Sequence, residues 1–332
     1  MSISSSPDPI AGQQQSKPSF LITIDTEGDN LWGNSPGDPT TRNSKFLWRF
    51  QDLCEEFGLK PTYLTDYEMA RCNEFKKLGL DVIRRNTGEI GMHLHAWHSP
   101  PHVPLTSDDN RYKPFLIEYP DQVIRDKVQY MTTLLENTFC IKPVSHRAGR
   151  WAFDERYARA LVECGYKVDC SVTPGVSWAR KEQVPAGAMG TDYTSFRGEP
   201  YWMNLNNIAE DGEPCLLQVP VTILRRTDRS SVRPRIARKA LNYLSPELSW
   251  LRPNGRNLKY MLEAIEEVIK EERSHAEFML HSSELMPGGS PHFKSDADIE
   301  RLYKHLRILF SSVSGRFEGV TLAEFHDQWG MN

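Results

Sequence analysis

The sequence lacks the features of several protein classes. It has no uninterrupted apolar run of about 18 residues, so it predicts no membrane-spanning helix. Its net charge of only −4 argues against a protein built to bind nucleic acid, and no internal repeat is present. The six cysteines form no Cys-x-x-Cys pair, which favours reduced, buried thiols.

The N-terminus, residues 1–18, is polar and rich in serine, glutamine and proline. It lacks the apolar segment of a secretory signal, so we interpret it as a disordered tail. Because no export signal is recognisable, we expect the protein to be cytoplasmic.

The rest of the chain alternates between two patterns. Apolar runs such as Ser19–Asp25 and Glu89–Leu94 indicate buried strands, and amphipathic stretches such as 257–272 indicate helices. About seven strands separated by helices predict an α/β fold whose parallel sheet is closed into a barrel or left open. We assign residues 19–330 to one domain with an insertion at about 174–256, which begins in an irregular stretch.

Several predicted strands end in side chains that can bind a metal or move a proton. These residues are Asp25 with Glu27, His93 with His95, Arg147, and His281. The C-terminal ends of parallel strands meet at one edge of the sheet, where catalytic sites usually lie. Residues two apart in a strand face the same way, so His93 and His95 can enter one cavity. The sequence therefore predicts a catalytic site at this edge.

These strand ends resemble the motifs of the polysaccharide deacetylases, the NodB-homology carbohydrate esterases. The matching segments follow the order of the family's motifs: Thr23–Gly28, Glu89–His93, His146–Trp151, Asp169–Val172 and Leu280–Ser283. The resemblance covers most of the chain. It implies an irregular (β/α) barrel with seven parallel strands, and metal-dependent removal of an acyl group from an acylated sugar.

The sequence departs from the usual family pattern in two places. Asp25 and Glu27 are separated by Thr26, where the family usually has adjacent aspartates. Trp97 stands where the family usually has its second histidine. The run 93–101 resembles a subgroup of deacetylases from bacterial surface-polysaccharide (O-antigen) gene clusters. The resemblance therefore implies an N-acyl amino sugar, acetylated or formylated, from a surface polysaccharide or its precursor.

We assign Glu27, His93 and His95 as ligands of a divalent metal, and zinc is the expected ion. One carboxylate and two imidazoles leave a coordination position open for water, as in catalytic zinc sites. His98 lies in the loop after the strand and is a competing ligand.

Hydrolysis of an amide also needs a base and an acid. We assign Asp25 as the base and His281 as the acid, with Arg147 orienting the carboxylate of the base. Asp169 can tune a neighbouring histidine or be a plain loop acid. Trp97 and Trp151 can form the wall of a sugar pocket, although aromatic packing is the commoner role.

Other interpretations remain open at this stage. The acids can form a solvated strand end, the histidines can be packed or capping residues, and Arg147 can belong to a structural ion pair. A TIM-barrel amidohydrolase also uses a His-x-His pair, but on its first strand, whereas the pair here follows the third. A non-catalytic sugar-binding homologue is the alternative from a different functional class.

The segment Arg225–Lys239 contains seven basic residues and one acid, Asp228. Such runs are often solvated faces. A docking patch for an acidic sugar, a lipid pyrophosphate carrier or an anionic membrane surface is the sharper hypothesis. We therefore expect an acylated amino sugar or oligosaccharide as partner, free or lipid-linked, with peripheral membrane contact at this segment and no nucleic acid.

Overall fold

The structure is a computed structural model that describes residues 17–30, 39–179, 189–226 and 247–331. Its strands are β1 (Ser19–Thr26), β2 (Pro61–Thr65), β3 (Glu89–Leu94), β4 (Ser145–Ala148), β5 (Val168–Asp169), β6 (Tyr201–Asn204), β7 (Asn207–Asp211), β8 (Leu217–Gln218), β9 (Ile223–Arg226), β10 (Glu247–Trp250), β11 (His275–His281) and β12 (Glu318–Gly319). Its α-helices are α1 (Leu47–Glu56), α2 (Tyr67–Ala70), α3 (Asn73–Arg85), α4 (Asp109–Tyr112), α5 (Asp121–Phe139), α6 (Glu155–Glu163), α7 (Leu258–Lys270), α8 (Asp296–Val313) and α9 (Leu322–Trp329). Short 3₁₀ helices lie at Arg42–Phe46, Leu116–Glu118, Gly149–Trp151 and Ser282–Leu285.

A curled parallel sheet forms the centre of the molecule. Its strands are hydrogen-bonded in the order β11–β1–β2–β3–β4–β5–β8, and each neighbouring pair is parallel. All eight residues of β1 are buried, as expected for a strand that is covered on both faces. The predicted α/β fold with about seven parallel strands is therefore confirmed.

No ladder joins β8 to β11 in the described part of the chain, and single hydrogen bonds from the segments after β8 and β10 reach β11 instead. The Glu277 N–H donates to Thr222 Oγ1 at 2.8 Å. The Leu251 N–H donates to the Thr222 carbonyl at 3.0 Å, and the Met279 N–H donates to the Leu251 carbonyl at 3.2 Å. We call this irregular closure of the barrel the seam.

Helices connect the strands, and several begin at side chains that cap them. Asp66, Asp154, Ser295 and Thr321 each accept a hydrogen bond from a backbone N–H in the first turn of the helix that follows. Such caps satisfy N–H groups that have no partner within the helix. None of the helices in the described residues is both long enough and apolar enough to cross a lipid bilayer.

The region predicted as an insertion, 174–256, contributes strands β6 to β10. Of these, β8 belongs to the parallel sheet, β6 and β7 extend it in antiparallel fashion, and β9 pairs with β10. Residues 1–16 of the predicted tail and residues 227–239 of the basic segment lie outside the described residues. The division into a tail and one domain with an insertion stays a prediction.

Strands β3 and β4 approach each other closely at Gly91, two residues before His93. A Cβ atom at position 91 would lie 2.7 Å from the Ser145 carbonyl oxygen and 2.9 Å from Leu64 Cδ2. Both distances are too short for non-bonded atoms, and the carbonyl belongs to backbone that cannot move freely. Glycine is therefore needed here for the strand that carries the histidines.

The substitution Gly91→Ala is expected to lower the free energy of unfolding by about 1–3 kcal/mol, because β4 must shift to admit the methyl group. Urea denaturation measures this change. Gly198→Ala is the matched control, since its Cβ would meet only Arg273 Nη1, at 3.8 Å. Equal stability of the two variants would contradict the packing argument.

Candidate metal and catalytic site

The register of the parallel strands brings the predicted site residues together. Asp25 of β1 lies beside His281 of β11, and His93 of β3 lies beside Arg147 of β4. Because neighbouring parallel strands run the same way, these strand ends open on the same mouth of the barrel.

Glu27, His93 and His95 form a compact group of possible metal ligands. One ligand atom from each lies within 4.8 Å of the others, and all three residues are buried. Glu27 Oε2 is 2.9 Å from His95 Nε2 and 3.5 Å from His93 Nε2. One carboxylate and two imidazoles at these separations fit a divalent cation such as zinc.

The hydrogen bonds of His93 determine which of its nitrogens can bind a metal. Nδ1 lies 3.0 Å from the carbonyl oxygen of Arg147. A carbonyl oxygen only accepts, so Nδ1 carries the proton and the neutral ring presents the lone pair of Nε2. That lone pair points towards Glu27, as a metal ligand in this cluster requires.

The electrostatics of the cluster favour a bound cation. Burial lowers the pKa of His95 to about 4, so its ring is neutral at physiological pH. Burial opposes ionisation of Glu27, but His281, His93 and His95 together hold its pKa well below the usual value. Burial alone would lower the pKa of His93, but the negative charges of Asp25 and Glu27 raise it above its ordinary value. The cluster therefore has a negative potential that attracts a cation.

Arg147 orients Asp25 through a buried ion pair. Arg147 Nη1 donates to Asp25 Oδ1 at 2.6 Å, while Nη2 donates to Thr23 Oγ1 at 2.7 Å and to Glu277. Burial alone would raise the pKa of Asp25, but Arg147 foremost, with His93 and His281, keeps it below its ordinary value. Asp25 is therefore an anion whose Oδ1 atom already accepts a hydrogen bond from Arg147.

His281 faces the acids with one ring nitrogen and an arginine with the other. Its Nε2 is 3.5 Å from Asp25 Oδ2 and 3.7 Å from Glu27 Oε1. Its Nδ1 is 2.7 Å from Arg252 Nη2, and Arg252 also donates to Glu284 Oε1 at 2.9 Å. A guanidinium has no acceptor, so Nδ1 must accept and the neutral ring carries its proton on Nε2.

Sequence reasoning missed Arg252 and Glu284. Glu284 Oε2 accepts the backbone N–H of His281 at 2.9 Å, in a capping box over residues 281–284. The spacing of three residues was a signal that could have identified Glu284. Arg252 lies in the segment after β10, and the sequence carries no comparable signal for it.

Two other predicted residues, His98 and Asp169, lie outside the group formed by Asp25, Glu27 and the two histidines. His98 Nδ1 is 3.6 Å from Glu68 Oε1, and His98 does not belong to the group of possible ligands. Asp169 Oδ1 lies 2.7 Å from Nδ1 of His146. The histidine that Asp169 contacts is thus outside the proposed metal cluster.

A cavity of about 370 Å³ opens above these groups, and we call it the reaction pocket. Its lining includes the following polar and aromatic residues: Asp25, His93, His95, His281, Arg150, Arg252, Phe115, Trp151 and Trp178. The rings of Trp151 and Trp178 stack with an interplanar angle of 15°. The pocket combines apolar walls with a few convergent polar groups, as small-molecule sites do.

The turn after β4 shapes one wall of this pocket. Arg150 and Trp151 both have left-handed backbone conformations, with φ of 56° and 63°. Such conformations are strained in residues with side chains and are often found at functional sites. The Arg150 guanidinium lies over the ring of Trp97, with 4.7 Å between its Cζ and the ring centroid. Trp97 therefore supports a cation beside the histidines.

Comparisons with known proteins identify the fold. No family model matches the sequence, and no curated protein matches it. A candidate polysaccharide deacetylase from Mycobacterium smegmatis superposes with a TM-score of 0.57 at 12% identity, over 98% of this chain and 94% of that one. A candidate glycoside hydrolase/deacetylase from Parabacteroides distasonis gives 0.59 at 10% identity, over 96% and 73%.

A third solved structure, the 4-α-glucanotransferase from Thermococcus litoralis, gives a TM-score of 0.53 at 14% identity. It covers 94% of this chain, which spans 40% of that longer protein. At these identities the likeness establishes a shared fold. The (β/α) barrel expected from the sequence motifs is the fold that all three structures share with this chain.

The buried carboxyl of Glu277 generates a pH prediction. Burial raises its pKa to about 7, against the opposing effect of Arg147. The folded state then holds a proton that the unfolded chain releases near pH 4.5. Ionisation of this carboxyl therefore lowers the free energy of unfolding as the pH rises from about 4.5 to about 7.

The stability advantage of the wild type over Glu277→Gln is therefore expected to shrink across that pH range and to stay constant above it. Urea unfolding of both proteins at a series of pH values measures the difference. A difference that grows with pH would show that Glu277 is ionised throughout.

Proposed function

We propose that this protein is a metal-dependent hydrolase that removes an N-acyl group, acetyl or formyl, from an amino sugar. The observation that carries the proposal is the Glu27–His93–His95 cluster, with Asp25 and His281 on the same pocket. The motifs that resemble the polysaccharide deacetylases support it. So does the fold shared with a protein from Mycobacterium smegmatis that is named for this activity.

Glu27, His93 and His95 would hold the cation, which we propose to be zinc. A bound cation of this kind polarises the acyl carbonyl and lowers the pKa of a water molecule. Metal ligands must be an ionised carboxylate and neutral imidazoles. The low pKa values of Glu27 and His95 fit that requirement.

Asp25 is proposed as the base and His281 as the acid. Arg147 occupies Oδ1 of Asp25, which leaves Oδ2 to take a proton from the attacking water. Arg252 fixes the proton of the neutral His281 ring on Nε2, the nitrogen nearest Asp25. To act as the acid, the ring must first gain a second proton, on Nδ1, which faces Glu284 Oε2 at 3.7 Å; the imidazolium can then give its Nε2 proton to the leaving nitrogen of the sugar and return to the neutral form. Arg147 touches the base rather than the substrate, and we propose it as a positioning residue.

The proposed substrate is a bacterial surface polysaccharide or its precursor, free or lipid-linked. The run 93–101, which resembles the O-antigen gene-cluster subgroup, supports this choice. A TIM-barrel amidohydrolase is disfavoured, because that group carries its His-x-His pair on the first strand, whereas here it lies on and just after β3.

One prediction of the proposed function concerns metal content. Glu27→Ala and His93→Ala are expected to lose a bound divalent metal, because each removes one of the three proposed ligands. Elemental analysis of the purified proteins after loading with zinc measures the stoichiometry. His102→Ala, an exposed histidine in the following loop, is the control and should bind metal like the wild type.

A wild-type protein that binds no stoichiometric zinc, cobalt, nickel or iron would contradict the proposal. It would favour the non-catalytic sugar-binding alternative.

Another prediction of the proposed function concerns turnover. His281→Ala is expected to keep its metal but to lose kcat by roughly 10²–10⁴-fold, the usual contribution of a positioned acid or base. Release of acetate or formate from a panel of N-acylated sugars measures kcat. Unchanged acyl release by His281→Ala would remove this residue from the chemistry.

A further inference from the structure

A second cavity adjoins the reaction pocket. It has a volume of about 380 Å³ and lies between β10 and the start of α7. Arg252 and His292 line both cavities, so they form the wall between them. We propose that this second cavity binds an anionic group attached to the N-acyl sugar, a phosphate or a carboxylate. The inference rests on the proposed function, since it names the substrate class of the same site.

The charge of the second cavity is the first argument. Arg252 and Arg256 line it, and no aspartate or glutamate is among its described lining residues. The Arg256 side chain is exposed and makes no hydrogen bond or ion pair with any described residue. Guanidinium groups bind phosphate and carboxylate oxygens in fork geometry. An arginine kept free beside a reaction pocket is thus available to a ligand anion.

The rigidity of the segment that carries Arg256 is the second argument. The Arg256 N–H donates to Asn254 Oδ1 at 2.9 Å, and the Asn254 N–H donates to Asn257 Oδ1 at 2.9 Å. Asn257 Nδ2 donates to the Arg252 carbonyl at 2.7 Å. These bonds hold the backbone of Arg252 and Arg256 within one turn. A preorganised turn lowers the entropy cost of binding an anion.

A row of tryptophans joins the two cavities and is the third argument. Trp178 and Trp151 line the reaction pocket, and Trp250 lines the second cavity. Trp151 stacks on Trp178, and its ring meets Trp250 edge-on, with 5.6 Å between centroids. Aromatic faces are suitable surfaces for the apolar faces of sugars. The half-buried Trp178 and Trp250, joined through the buried Trp151, therefore form a wall that leads from the reaction pocket towards Arg256.

The substrate class that follows is an N-acyl amino sugar with an anionic neighbour. The reaction pocket accommodates the acylated sugar, and the anion lies one unit further along the tryptophan row. A phosphate would come from a glycosyl phosphate or diphosphate, and a carboxylate would come from a uronic acid in a polysaccharide.

Binding of the anion is tested without turnover. Isothermal titration of the full-length protein with inorganic phosphate, and separately with glucuronate, is carried out at constant ionic strength. Arg256→Gln is expected to weaken binding of the preferred probe by roughly tenfold, because it removes one charge-assisted hydrogen-bond donor. Preference for phosphate indicates a glycosyl phosphate, and preference for glucuronate indicates a uronic acid.

Lys259→Gln is the matched control. It removes the same charge three positions further on, from a side chain that is 80% exposed and does not line the second cavity. Its affinity for the probe should equal that of the wild type. Equal affinity in Arg256→Gln and Lys259→Gln, or no binding of either probe to the wild type, overturns the inference.

A kinetic arm separates this inference from the proposed function. With substrates that carry the preferred anion, Arg256→Gln is expected to raise KM about tenfold and to leave kcat unchanged. With neutral N-acyl sugars, both constants should stay at the wild-type values. Absence of acyl release would defeat the proposed hydrolase, whereas the anion titration would still decide the second cavity.

Discussion

Arg147 carries a positive charge at the centre of the barrel and has no surface exposed to water. Burying such a charge is costly unless opposite charges and hydrogen-bond acceptors surround it. Asp25 provides the opposite charge, while Glu277, Thr23 and the Cys170 carbonyl accept further hydrogen bonds. Since Arg147 needs this opposite charge, Asp25 stays ionised and fixed in direction. The chemistry at the mouth of the barrel depends on this buried network.

The same arginine connects the acids with the histidines. Its side chain holds Asp25, and its backbone carbonyl accepts the Nδ1 proton of His93. One residue of β4 therefore orients the proposed base on one side and a proposed metal ligand on the other. The parallel register makes this possible, because it places β4 beside β3 and aligns Arg147 with His93.

Strand periodicity predicted the parallel sheet and the meeting of its polar strand ends, because parallel strands bring their ends to one edge. The resemblance to the deacetylase motifs added the barrel and preceded the choice of Glu27, His93 and His95 as ligands. It could not predict Arg252, which reaches His281 from the segment after β10 through tertiary packing. For Asp169 the sequence left two roles open, a partner of a neighbouring histidine or a loop acid, because it does not reveal that β5 lies beside β4 and brings Asp169 to His146. The seam was also beyond prediction, since its bonds involve a side chain and irregular backbone rather than a ladder.

The seam has a mechanical consequence for the barrel. In a ladder, each pair of strands is joined by a continuous row of bonds, so a strand cannot yield at one point alone. At the seam, Thr222 and Leu251 hold β11 by bonds that can break one at a time. Leu251 lies between Trp250 and Arg252, both of which line the second cavity. On this side, the described barrel wall is thus held by separate bonds next to the second cavity, and one of them can open without breaking a whole ladder.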